Sequence, residues 1–125
     1  LADHNIGALL LQADRLSEAE AAFERGLAAA REVGDRRLEV ILLDDLSQLF
    51  SQKEDWPRAV AADLEASARL AAIAEDVRQG RLDDSLLLDL RRLFKERYVH
   101  EPQLTVDLFL GLFYQLAVEP VVTEG

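Results

Sequence analysis

A chain of 125 residues, half of them apolar, is long enough for one folded domain with a core, and its formal net charge of −10 works against phosphate backbones and anionic lipid surfaces as partners. It has no cysteine, which excludes a disulfide framework and thiolate metal sites and fits a reducing compartment, so the expected location is the cytoplasm. The longest mostly apolar stretch, Leu104 to Val118, is interrupted by Asp107 and Gln115 and falls short of the roughly 20 residues that span a bilayer, so neither a membrane span nor a signal peptide is expected. Of the 14 basic residues only Lys53 and Lys95 are lysine, which, with abundant Ala and Leu, suggests a GC-rich bacterial gene. A chain without Met, and short for an array of at least three repeats, is expected to be a fragment of a longer protein.

The apolar spacing is helical from end to end, and no segment shows the period-two alternation of a half-buried strand. The pattern predicts about six helices. The first runs to about Ala13. After the turn at Asp14-Arg15, Ser17 is placed as N-cap of the second, with Glu20 completing a capping box, and that helix runs to about Val33. Gly34 supplies a left-handed residue to end it, and Asp35 caps a third helix over about Arg36 to Gln52. Lys53-Glu54-Asp55 makes the next turn. Pro57 falls in the first turn of the fourth helix, where a missing N–H costs nothing, and Gly80 stops it. Asp83 or Asp84 caps a fifth helix, which turns Leu86, Leu87, Leu90, Leu93 and Phe94 to a core and ends near Tyr98. Pro102 opens the sixth, Pro120 closes it, and a frayed tail follows.

Two stretches answer to each other 40 positions apart. Ile6-Gly7-Ala8-Leu9-Leu10 corresponds to Leu46-Ser47-Gln48-Leu49-Phe50, and Asp14-Arg15-Leu16-Ser17-Glu18-Ala19 to Glu54-Asp55-Trp56-Pro57-Arg58-Ala59. Self-similarity at a fixed helical period predicts a stacked array of hairpins. The first copy resembles the tetratricopeptide repeat: Ile6-Gly7 its Leu-Gly pair, Leu10 its aromatic position, Leu16 the apolar residue at the turn, Ala19 its alanine, Phe23 its second aromatic and Gly26-Leu27 its small-then-apolar pair. In such a hairpin Gly7 and Ala19 sit where two helices cross, and only small side chains allow the approach while Leu10 and Phe23 fill either side. The second copy matches at Leu46, Phe50, Trp56, Ala59 and Ala66. It departs at Ser47, in place of the glycine, and at Asp63, in place of Phe23, a space that Leu64 would fill if the helix turned slightly. Trp56, the sole tryptophan, is expected to pack at the hairpin turn, with a binding hot spot as the alternative. The long period and the Gly34-Asp35 junction resemble the long tetratricopeptide subclass. The resemblance covers about residues 1 to 72.

The expected fold is therefore an all-α, right-handed array of antiparallel helix hairpins, with two repeats over residues 1–80 and a terminal hairpin over 81–125 that is either a degenerate repeat or a cap. Catalytic equipment is missing from the sequence: there is no phosphate loop, no serine elbow and no clustered nucleophile and base. His4 and His100 are the only histidines and neither has a second ligand at metal-binding spacing, so no metal and no cofactor are expected. The adjacent carboxylates Asp44-Asp45 and Asp83-Asp84 point about 100° apart on a helix and do not face each other.

The resemblance implies a protein–protein interaction module, a scaffold or adaptor, or else the sensory segment of a larger bacterial regulator. It also implies that the first helix of each hairpin lines a groove for a partner peptide, with His4, Ala8, Leu11 and Gln12 from the first copy beside Asp44, Gln48, Ser51 and Gln52 from the second. None of these is cationic, so the groove is expected to take a neutral or basic peptide, Asp44 supplying the charge. The sixth helix is apolar around nearly its whole circumference. Either it is buried in its own chain, or Phe109 and Phe113 belong to a homodimer or interdomain interface.

Overall fold

The structure, a computed structural model, describes residues 2–100, with side chains for residues 6–94 and 96. Its described residues form five α-helices and no strand: α1 (Ala2–Gln12), α2 (Leu16–Val33), α3 (Arg36–Gln52), α4 (Trp56–Arg78) and α5 (Ser85–His100). The sixth predicted helix, with Phe109 and Phe113, lies outside the described residues. The chain divides into two compact units, Leu1–Ala66 and Ser67–Gly125.

In the first unit the repeat is reproduced down to single hydrogen bonds. At the end of α1 the Asp14 N–H donates to the Leu11 carbonyl at 3.1 Å and the Arg15 N–H to that of Leu10 at 2.8 Å. Forty positions on, Glu54 donates to Ser51 at 3.0 Å and Asp55 to Phe50 at 2.8 Å. This is the Schellman closure, in which a left-handed residue turns the chain back onto the last free carbonyls of the helix. That residue is Gly34 after α2 and Gly80 after α4, with φ of 72° and 75°, but Asp14 after α1 and Glu54 after α3, with φ of 61° and 58°. The breaks between successive hairpins thus carry glycine and those within a hairpin carry an acid.

The same closure overturns the expected capping box. Two residues are used in reversing the chain, which leaves Arg15 as N-cap of α2, with no side-chain cap, and puts Ser17 inside the first turn. Glu20 reaches Lys53 at 2.9 Å and Arg58 at 3.5 Å instead of its own backbone. Asp35 does cap α3, accepting from the Leu38 N–H at 3.0 Å.

The crossing of α1 and α2 is as close as the paired small and large residues require. Phe23 and Ala19 are fully buried, and a Cβ added to Gly7 would lie 2.4 Å from the Phe23 ring. Burying such a ring contributes about 1.5–3 kcal/mol. In the second hairpin the trade is reversed. Ser47 stands at the crossing, its hydroxyl donating to the Ala59 carbonyl at 3.1 Å, and the position of the ring belongs to Asp63, only 3% exposed. The helix does not turn to bring Leu64 inward: Leu64 is 45% exposed, because Ala59, Ala62 and Ala66 already set the buried face of α4. Trp56, expected at the turn, is likewise on the surface, its ring having no place inside a turn already closed by backbone bonds.

The second unit has its core in Leu70, Ile73 and Ala74 of α4 and Leu87, Leu90 and Phe94 of α5, each set recurring at helical spacing. Leu86 and Leu93 are half-buried at its edge. Asp83 marks the start of α5. It accepts from the Ser85 N–H at 2.9 Å and from the Ser85 hydroxyl, and these bonds, the hydroxyl's first, hold its carboxyl below the usual range.

Candidate functional site

The residues expected to line a groove are set by the two first helices, α1 and α3, which touch. In α1, Ala8 and Leu11 are half-buried and Gln12 is exposed, while the His4 side chain lies outside the described residues. In α3, Gln48 and Ser51 are half-buried and Gln52 is exposed. Gln48 donates its amide to the Asp44 carboxylate at 3.0 Å, and the Ser51 hydroxyl donates to the Ser47 carbonyl at 2.9 Å.

Asp44 is not where a partner could reach it. It is 1% exposed, because α3 is buried without a break from Val40 to Ser47 and so has no solvent face over those two turns. Its position in the repeat placed it among groove residues, but repeat position says nothing of what covers a side chain. Asp45, on the next position, is 5% exposed. A carboxylate buried in this way acts on its own fold rather than on a basic ligand.

A second concave surface was not legible in the sequence. On the side where α2 and α4 flank α3, a cleft has an apolar floor of Leu27, Leu43, Leu46 and Phe50. Its walls carry charge. Arg31 of α2 bonds Glu39 of α3 at 3.0 Å and also pairs with Glu65 of α4. Arg58 of α4 lies with its guanidinium 4.4 Å from the centre of the Phe50 ring, and it bonds Asp55 at 2.6 Å. That bond to Asp55 is the main reason the Arg58 guanidinium holds its proton more tightly than usual and the Asp55 carboxyl less tightly. Ala28 and Ala61, exposed on the two walls, keep the cleft open where larger side chains would close it. Its walls belong to different hairpins, and only the crossing of three helices brings Arg31 beside Glu65, so no local motif announces it.

The cleft thus combines an apolar base with paired charges on its walls. Among the described residues no three His, Cys, Asp or Glu side chains come together as a shell for a metal ion, and no helix is long and apolar enough to cross a membrane. Residues 1–72 match a family model described as tetratricopeptide repeat. No curated protein and no solved structure matches the chain.

Proposed function

The chain belongs to the tetratricopeptide repeat family, generally a non-catalytic protein–protein interaction fold, and from that premise we propose that it is a scaffold or adaptor that docks a protein or peptide segment in the cleft between α2 and α4. The observation that carries this reading is the cleft that opens at the exposed Ala28 and Ala61 over an apolar base of Leu27, Leu43, Leu46 and Phe50, between walls of charged residues. An apolar side chain of the partner would lie between Ala28 and Ala61 above that base while its basic or neutral flanks meet Glu24 and Glu65, and the net charge of −10 favours such a partner over an acidic one. Docking by a linear segment suits either setting of the module, an independent adaptor or the sensory part of a larger regulator.

The face of α1 and α3 is the second reading, supported by the exposed amide side chains of Gln12 and Gln52 beside the half-buried Ala8, Leu11, Gln48 and Ser51. Affinity capture with the whole chain, followed by mass spectrometry, would supply the partner. Ala61→Trp, which fills the cleft from an exposed position, is then expected to weaken that partner about tenfold or more, and Gln12→Ala with Gln52→Ala to leave it unchanged. The opposite result would move the site to the α1 and α3 face. If neither set of substitutions weakens binding while circular dichroism shows both variants folded, both assignments are wrong.

A further inference from the structure

The ion pair of Arg31 and Glu65 crosses the cleft from α2 to α4. Arg31 comes three residues after Ala28 and Glu65 four after Ala61, so on both walls the pair stands one helical turn, about 5 Å, beyond the opening. A helical segment whose apolar side chain lies between the two alanines therefore carries a side chain of its next turn onto this pair. If that side chain is a cation, it meets Glu65 with Arg31 already in place.

Arg31 is not committed to Glu65. Its Nε donates to Glu39 of α3 at 3.0 Å, so one guanidinium is divided between carboxylates of two helices. The Glu39 side chain is 13% exposed and that of Glu65 40%, and water screens the wetter pair more strongly. The contact that yields is thus the one across the cleft, and Arg31 keeps a charged partner after yielding it. The opposite end of the cleft is built differently. Arg58 bonds Asp55, three residues before it, at 2.6 Å and covers the Phe50 ring, while its reach across to Glu20 of α2 is 3.5 Å. Resting on the cleft as the docking site, we propose that Arg31 is a built-in competitor for the cation of the partner. The partner is a helical segment with an apolar side chain and, one turn away, a lysine or arginine that takes Glu65 from Arg31. Arg31 then stays on Glu39 and the incoming cation on Glu65, so neither is left without a carboxylate.

The probe is an alanine-based helical peptide with one leucine and a lysine four residues later, used beside the same peptide with acetyl-lysine, which keeps the stem and loses the charge. Both are titrated into the whole chain. Arg31→Gln should tighten the lysine peptide about two- to fivefold, the worth of a partly exposed ion pair, and leave the acetyl-lysine peptide unchanged. Glu65→Gln should abolish the difference between the two peptides. With Glu65→Gln in place, Arg31→Gln should have no further effect, a coupling that a general gain of negative charge would not produce. In the parent chain, the guanidinium nitrogen signals of Arg31 in NMR should shift with the lysine peptide and stay in place with the other, a readout that needs no variant to fold. Arg31→Gln that weakens the lysine peptide, leaves it unchanged, or tightens it equally in both backgrounds would overturn the proposal. So would a parent chain that binds the lysine peptide no better than its acetylated form at millimolar concentration. Ala61→Trp separates the two levels of the argument: if it weakens neither peptide, the cleft itself is the wrong site, whereas its weakening both while Arg31→Gln does nothing removes only the competitor.

Discussion

At Gly7 two opposite effects of one methyl group can be compared. On an exposed helix face, replacing glycine with alanine gains about 1 kcal/mol from the backbone. Here the added carbon would lie 2.4 Å from Cε1 and 2.5 Å from Cδ1 of Phe23, a ring that is itself fully buried and cannot swing away. Overpacking of this kind costs about 1–3 kcal/mol, so it wins. Gly7→Ala should therefore lower stability in urea denaturation, and most of that loss should disappear in a Phe23→Leu background, a coupling a double-mutant cycle would read directly. An equal loss in both backgrounds would place the cost elsewhere. The crossing itself was legible, since glycine, alanine and phenylalanine occur at the spacing it needs. That Ser47 and Asp63 are a matched pair was not legible, because each looks like a defect until both are seen inside the same hairpin.

Helix ends show where local sequence suffices and where it misleads. Gly34 and Gly80 announce left-handed residues, and both are found, since only glycine enters that region without a clash at Cβ. Asp14 and Glu54 give no such signal, yet hold φ of 61° and 58° because the turn bonds around them leave no alternative. For Glu54 that conformation costs about 1–2 kcal/mol. Glu54→Gly should consequently raise stability by about 0.5–1 kcal/mol after the greater freedom of glycine in the unfolded chain is subtracted, measurable as a higher thermal midpoint. Ser17 with Glu20 and Asp35 with Leu38 look alike as capping signals, but only the second forms. Asp35→Ala should cost about 1 kcal/mol and Ser17→Ala almost nothing. Equal effects in chemical denaturation would mean that the start of α2 has been misplaced.

Over the whole molecule, fold class and the two repeats were readable because they depend on periodicity, which every residue of a helix reports. Surfaces were less readable, because they depend on which helices become neighbours. Asp44, assigned to solvent by its repeat position, is covered, while the cleft beside Phe50 gathers side chains from α2, α3 and α4 that are up to 41 positions apart in sequence, Glu24 to Glu65. The contrast at the two crossings has a consequence for how these hairpins came to differ. If both descend from one duplicated unit of the Gly7 and Phe23 kind, neither change was free on its own. A side chain at the glycine meets the ring at about 1–3 kcal/mol, and losing the ring first leaves a cavity at about 3–5 kcal/mol. History at this site therefore passed through a strained or a hollow intermediate, and exchanging a single residue between the two hairpins should cost more stability than exchanging the pair together.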